Sequence, residues 1–134
     1  RLDELQAAIL RVKLRHLDSD TEKRRKVADY YLKNIPSSTC HLPHVASYGS
    51  HVFHLFVIRH PQRDALAKHL ADLGIQTVIH YPIPPHRQQA YPELHGLSLP
   101  ITEALHHEVL SLPISPVLRW VQVEQIVSEL KQFN

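Results

Sequence analysis

The chain has 134 residues and a formal net charge of +2, and 43% of its residues are hydrophobic. That length suits one ordinary domain with its own core, and the nearly balanced charge does not indicate nucleic acid or an anionic membrane as a partner. No apolar stretch approaches the roughly 20 residues that cross a bilayer, and no signal peptide opens the chain, so we expect a cytoplasmic protein.

Cysteine and methionine usage adds two further expectations. Cys40 is the only cysteine, which excludes an internal disulfide framework and a thiolate-rich zinc site. The chain contains no methionine, and its first residues already have a helical pattern. We therefore expect that further residues precede Arg1 in the parent protein.

Two helices are predicted at the start of the chain. The first runs from about Leu2 to Leu17 and carries apolar stripes on two of its faces. A helix of this kind needs two partners, so we expect it to lie between its own domain and a second domain or subunit. Ser19 to Glu22 has the S-x-x-E form of a capping box, which predicts a second helix that continues to about Asn34.

The middle of the chain predicts two strands separated by a helix. Val52 to Ile58 is rich in β-forming residues and apolar on both faces, as in a central strand. Leucines at helical spacing follow, and Gly74 stands where a left-handed helix cap is expected. Ile75 to Tyr81 alternates as a second strand, so His80 and Tyr81 should point to opposite faces, with one of them towards the core.

The last third of the chain completes a mixed fold. After Pro82 to Pro85 comes a loop of about fifteen residues, longer than most connections and therefore a candidate for a functional loop. Thr102 is predicted to cap a short helix that ends near His107, Val109 to Leu112 reads as a third strand, and an amphipathic helix follows from Val121 to Phe133. The fold class is therefore α/β (α+β), with helices covering a small three-stranded sheet.

Several kinds of chemistry are weakly supported or excluded by the residues. Twelve histidines make metal binding worth testing, but neither a cysteine pair nor an H-E-x-x-H helix accompanies them, so we predict no metal site. The chain has three widely spaced glycines, which excludes a phosphate-binding glycine loop. No G-x-S-x-G turn is present to indicate a hydrolase.

The segment His80-Tyr81-Pro82-Ile83-Pro84-Pro85-His86 places polar groups at the end of a predicted strand. On spacing alone, a strand end interrupted by prolines explains it equally well. It is followed in order by Gln89-Ala90-Tyr91, Leu99-Pro100 with Thr102-Glu103, and Val109 to Ile114, and it is preceded by the opening R-L-D-E-L-Q-A-A-I-L. Over essentially its whole length, the chain resembles the C-terminal portion of the DegT/StrS-type aminotransferases, which use pyridoxal phosphate on nucleotide-linked keto sugars.

This resemblance implies the small C-terminal domain of a fold-type I aminotransferase that works as a homodimer. Residues 1–35 would then be interdomain and dimer-junction helices, and residues 36–134 the small domain. The family's cofactor lysine lies upstream in the large domain, and none of the six lysines here has a matching context. The resemblance thus implies no catalytic residue in this chain, no pyridoxal phosphate on it alone and no activity of the isolated chain.

The resemblance also implies a few binding residues. Arg1 matches an arginine that the family places at the subunit junction near the cofactor. His80, Tyr81 and His86 would lie near the sugar nucleotide, where imidazole and phenol groups can hydrogen-bond to hydroxyl or diphosphate oxygens. The implied reaction is transfer of an amino group, from glutamate as donor, to a nucleotide-linked keto sugar, with preference for a 3-keto-6-deoxyhexose on dTDP.

Two alternatives remain open at this stage. One is a relative on the same fold that lacks the cofactor lysine and serves as a sugar dehydratase or a regulatory protein. The other is a free-standing α/β binding module that uses its histidines for a metal or an anionic ligand.

Overall fold

The computed structural model describes residues 3–133, and its centre is a short antiparallel strand pair. Strand β1 (Phe56–Arg59) pairs with β2 (Val109–Leu112), with Phe56 opposite Leu112 and Ile58 opposite Leu110. Single bridges extend the pairing on both sides, from Arg59 to His41 and from Ser111 to Val78. The backbone at Val78 therefore lies directly beside β2, which brings the following His80 and Tyr81 to this edge of the sheet.

Within residues 3–133, five α-helices accompany the strand pair. They are α1 (Glu4–Leu14), α2 (Leu17–Asn34), α3 (Arg63–Asp72), α4 (Pro100–Glu108) and α5 (Trp120–Gln132), and two short 3-10 turns span Pro85–Arg87 and Pro92–Leu94. Helices α2, α3 and α5 bury apolar side chains in the core. The edge of the Tyr31 ring packs against Phe56 with the ring centroids 5.0 Å apart. The expected fold class, helices over a small sheet, is confirmed, but within residues 3–133 the sheet has two strands and not the predicted three.

The predicted boundary between the first two helices is wrong. Helix α1 ends at Leu14 and α2 begins at Leu17, two residues before the proposed cap at Ser19. The hydroxyl of Ser19 lies inside α2 and donates to the carbonyl of His16 at 2.9 Å. Because the Ser19 hydroxyl bonds to a backbone carbonyl one turn earlier, it does not cap a helix. The helix start predicted from the S-x-x-E pattern is therefore wrong.

The two strands predicted in the middle of the chain are shorter than expected. The first begins only at Phe56, because Phe53 has a left-handed backbone with φ of +47° that interrupts extended structure. The second is reduced to the bridge at Val78, whose N–H and carbonyl both bond to Ser111 at 3.2 and 2.8 Å. Pro82 follows soon afterwards and has no N–H for a ladder.

Other local predictions divide between right and wrong. Gly74 has φ of +77° and its N–H donates to Ala71 at 2.9 Å, so the left-handed cap of α3 is confirmed. Thr102 does not cap α4; the cap residue is Leu99, and Pro100 occupies the first turn, where its missing N–H costs no helical bond. The third strand and the terminal helix lie where the sequence predicts them.

Helix α1 differs from the others because it buries none of its side chains. Its large apolar residues are exposed on both predicted stripes: Leu5, Ile9, Leu10, Val12 and Leu14. By contrast, α2 places Val27, Ala28 and Tyr31 in the core. The division of the chain at residues 35 and 36 stays a prediction.

Across residues 3–133, no helix combines the length and the apolarity that crossing a bilayer requires.

Candidate substrate-binding site

The backbone bridge at Val78 positions the first predicted site residue, His80. Its ring Nδ1 shares a hydrogen bond of 2.9 Å with the hydroxyl of Ser111, a buried residue of β2. The other ring nitrogen, Nε2, has no hydrogen-bond partner among residues 3–133. The imidazole is therefore fixed in place by the sheet through one nitrogen, while the second can serve a ligand as donor or acceptor.

Tyr81 is presented outward beside His80. Its side chain is 66% exposed, and its ring stands edge-on to the His80 ring with a centroid separation of 5.5 Å. The backbone carbonyl of Tyr81 accepts a hydrogen bond from Nδ1 of His106 in α4, and the His80–Tyr81 peptide bond is cis. As expected, the two side chains differ in direction: His80 bonds inward to the sheet and Tyr81 meets solvent.

His86 has a different environment from the other two. It lies in the 3-10 turn Pro85–Arg87, and only 3% of it is exposed. Its Nε2 bonds to the Glu103 carboxylate at 2.9 Å. A ring that is covered in this way offers little surface to a substrate. The contact predicted between His86 and the sugar nucleotide stays a prediction, and the burial of the ring does not support it.

Glu103 collects three hydrogen bonds. Besides His86, its carboxylate accepts from the backbone N–H of Leu99 at 3.0 Å and from the guanidinium of Arg87 at 3.4 Å. These bonds, led by that from Leu99 and then that from His86, lower the pKa of Glu103 to about 2. The carboxylate is therefore ionised throughout the neutral range and acts as a fixed negative anchor.

Sequence reasoning assigned no role to Ser111, Glu103 and His106, which hold the predicted site residues. One available signal is the spacing of Glu103 and His106, since residues three apart on a helix share one face. The sequence gives no indication that this face meets the segment after Val78, because the contacts span 17 and 25 residues.

The lysines of the described residues lie on the surface. All six lysines are exposed, so none has the enclosed setting in which a lysine is activated: Lys13, Lys23, Lys26, Lys33, Lys68 and Lys131. Cys40 is buried, which raises the pKa of its thiol to about 11 and keeps it protonated at neutral pH. Arg1, the residue predicted near the cofactor, lies outside the described residues.

Other concave regions lie away from the predicted site residues. A concavity of about 380 Å³ between the end of α3 and α5 is lined by Gly74, Pro113 and Gln122 among others. A groove of about 450 Å³ on α1 is almost wholly apolar and includes Leu10 and Leu14. Within residues 3–133, no three His, Cys, Asp or Glu side chains are grouped so that they could hold a metal ion.

Comparison with protein families decides the affiliation. Residues 1–131 match the model of the DegT/DnrJ/EryC1/StrS aminotransferase family. The chain belongs to this family. The resemblance seen in the motif order is therefore confirmed for the whole chain.

Two curated relatives illustrate the similarity. A dTDP-3-amino-3,6-dideoxy-alpha-D-galactopyranose transaminase of Aneurinibacillus thermoaerophilus is 52% identical over 100% of this chain and 37% of that protein. The erythromycin biosynthesis sensory transduction protein EryC1 of Saccharopolyspora erythraea is 48% identical over 98% of this chain and 37% of that protein. The chain thus spans little more than a third of the length of these family members.

Solved structures agree with the fold. DesV of S. venezuelae has a TM-score of 0.91 at 40% identity, covering 98% of this chain and 36% of DesV. NtdA of Bacillus subtilis, solved with bound cofactor PMP, has a TM-score of 0.85 at 30% identity, covering 98% of this chain and 32% of NtdA. The architecture seen here therefore matches about a third of each of these two chains.

Proposed function

We propose that this chain is the C-terminal part of a pyridoxal-phosphate-dependent enzyme that transfers an amino group to a nucleotide-linked keto sugar. The observation that carries the proposal is the family match over residues 1–131 together with the exposed Tyr81 side chain and the Nε2 of His80, which has no partner among residues 3–133. The amino donor is glutamate, and the sugar is a 3-keto-6-deoxyhexose on dTDP. The 52% identical relative, named as a transaminase of a dTDP-linked 3-amino sugar, supports this choice.

The site residues present here serve substrate binding. Nε2 of His80 and the phenol of Tyr81 can both form hydrogen bonds with a ligand. The imidazole nitrogen donates or accepts according to its tautomer, and the hydroxyl can do both at once. Sugar hydroxyls and diphosphate oxygens are suitable partners for both. Ser111 holds the His80 ring and His106 holds the Tyr81 backbone before the ligand arrives, which reduces the entropy cost of binding.

The cofactor belongs to the rest of the enzyme. Pyridoxal phosphate supplies the electron sink that amino transfer needs, and it requires a lysine in an enclosed site. Since every lysine of this chain is exposed, we place that lysine in the preceding large domain and expect the isolated chain to be inactive. Arg1 is proposed near the cofactor at the subunit junction.

Helix α1 supports a junction between domains and subunits. It is apolar on two faces, buries none of its side chains and carries an apolar groove of about 450 Å³. An apolar surface of this kind marks a protein–protein contact. We propose that it is covered by the large domain and by the second subunit of a homodimer.

The test uses the full-length protein that contains this chain. Activity is assayed with glutamate and the dTDP-linked 3-keto-6-deoxyhexose, and Tyr81→Phe is compared with Tyr48→Phe, a matched change at a side chain that is 95% exposed. We expect kcat/KM for the sugar to fall about tenfold in Tyr81→Phe, because a hydrogen bond of roughly 1.4 kcal/mol is lost. Tyr48→Phe should match the wild type. Equal kinetics in the two variants would remove Tyr81 from the site.

A second candidate function is a regulatory role on the same fold. The 48% identical relative is named as a sensory transduction protein, which favours keeping this candidate. It predicts that the full-length protein has no lysine in a family-like cofactor context upstream and takes up no pyridoxal phosphate. Cofactor absorbance of the purified protein therefore separates the two functions, and its absence would overturn the enzyme proposal.

A further inference from the structure

Residues 82–99 form the loop that connects the candidate site to α4. Hydrogen bonds from two residues of this helix hold the loop at three points. At its start, Nδ1 of His106 donates to the carbonyl of Tyr81. In its middle, Glu103 bonds to His86 at 2.9 Å. At its end, the same carboxylate accepts from the N–H of Leu99 at 3.0 Å.

Bonds within the loop complete the arrangement. Arg87 bonds to Glu103 with one guanidinium nitrogen, and with Nη1 it donates to the carbonyl of His95 at 2.7 Å. His95 in turn donates through Nε2 to the carbonyl of Gln88 at 3.1 Å. The Glu103 carboxylate therefore joins the two halves of the loop, because it accepts hydrogen bonds from His86 and Arg87 in the first half and from Leu99 at the end.

The burial of His86 makes this contact more consequential than an exposed pair. Only 3% of His86 is exposed, and its Nε2 is satisfied by Glu103. Without the carboxylate, the ring would keep a buried polar atom without its partner, which favours opening of the loop towards water. A loop of this length has many alternative conformations once it is released, so order lost at one point spreads along it.

We propose that Glu103 is a positioning residue for the sugar nucleotide: it holds the loop 82–99 on α4 through His86, Arg87 and Leu99, and so keeps His80 and Tyr81 in register with the ligand. His86 acts within this contact, and its role is to hold the loop. This inference rests on the proposed function for its kinetic consequence. Its structural consequence stands on the geometry alone.

The first experiment measures amide hydrogen exchange in the full-length protein for Glu103→Ala and for Glu93→Gln. Glu93 is an exposed glutamate in the same loop and provides the matched control. Peptides covering residues 82–99 should exchange about tenfold faster in Glu103→Ala, while peptides of β1 and α5 stay at the wild-type rate. Loop exchange no faster than in Glu93→Gln overturns the proposal, whether or not the protein is an aminotransferase.

The second experiment separates positioning from a general loss of structure. In Glu103→Ala we expect KM for the dTDP-linked keto sugar to rise about tenfold with kcat within about twofold, because geometry for the sugar is lost. The half-reaction with glutamate should proceed at the wild-type rate. An equal loss in both half-reactions indicates a merely structural role and overturns the proposal.

A conservative variant covers the case in which Glu103→Ala does not fold. Glu103→Gln keeps an oxygen that can accept from Leu99 but removes the charge that strengthens the bonds from Arg87 and His86. It should show an intermediate increase of about threefold in loop exchange, because charge-assisted bonds are roughly twice as strong as neutral ones. Wild-type exchange in this variant overturns the proposal. Absence of transamination with faster loop exchange instead refutes the proposed function and leaves the positioning contact in place.

Discussion

The exposed apolar surface of α1 allows a quantitative prediction about association. Ile9 and Leu10 lie on different stripes of this helix, and each is 51% exposed. Covering the exposed half of such a side chain contributes about 1 kcal/mol, as half of the range for full burial of an aliphatic side chain. Replacing both residues by alanine should therefore weaken association through α1 by about 2 kcal/mol, or roughly 30-fold in the dissociation constant.

The same substitutions should leave the small domain itself intact. Alanine is the best helix former, and neither residue is buried among residues 3–133. We expect the free energy of unfolding of the domain to change by less than about 0.5 kcal/mol, as for ordinary surface changes. By comparison, Leu70→Ala removes a fully buried side chain and should cost about 2–5 kcal/mol.

Sedimentation velocity over a concentration series of the full-length protein measures the association, and urea unfolding followed by tryptophan fluorescence measures the stability. Gln6→Ala, a change of a polar residue on the same helix, is the control and should alter neither. The reasoning is refuted if the double variant associates as strongly as the wild type. It is equally refuted if the double variant loses as much stability as Leu70→Ala, because this loss would mean that α1 packs against the core of the small domain.

Three further predictions concern single groups. Tyr31→Phe removes the hydroxyl that donates to the carbonyl of Pro113 at 2.9 Å, and urea unfolding should show a loss of about 1–2 kcal/mol because the carbonyl loses its partner. Gly74→Ala should cost about 1 kcal/mol in the same assay, since the site has open space and the penalty comes only from φ of +77°. Finally, because the pKa of Glu103 is lowered from 4.5 to about 2, its contribution to stability is complete above pH 4.5 and is lost as the pH falls towards 2. An NMR titration of the carboxyl should place its midpoint near 2, and unfolding of Glu103→Gln should lack this part of the acid dependence.

The parts of the fold that the sequence predicts are those with a strong local period. Leu66 and Leu70 are four residues apart and both lie in the core, as the helical spacing of α3 requires. The apolar run Val109 to Leu112 is bounded by Pro113 and was placed correctly as β2. In these segments the burial pattern repeats within a few residues, so a local argument is sufficient.

The parts that escaped prediction depend on contacts distant in sequence or on competing local bonds. The alternation from Ile75 to Tyr81 suggested a full strand, but only Val78 finds a backbone partner on β2. The Phe53 backbone, with φ of +47°, shortens the strand before it. Likewise, the bond from His80 to Ser111 joins residues 31 apart, and no periodicity within either segment indicates it.

The arrangement separates the residues that maintain the fold from those that meet other molecules. The core of β1, β2, α2, α3 and α5 is buried without any contribution from α1. Tyr81 is held through its backbone carbonyl and His80 through one ring nitrogen, so the phenol hydroxyl and the second imidazole nitrogen make no hydrogen bond among residues 3–133. Removal of the Tyr81 hydroxyl should therefore change ligand affinity without changing stability. Glu103 stands between the two classes, because its hydrogen bonds go to His86, Arg87 and Leu99 and so hold the loop that carries His86. This intermediate position is why its effect is expected in KM and in loop exchange, with little change in the unfolding of β1 and α5.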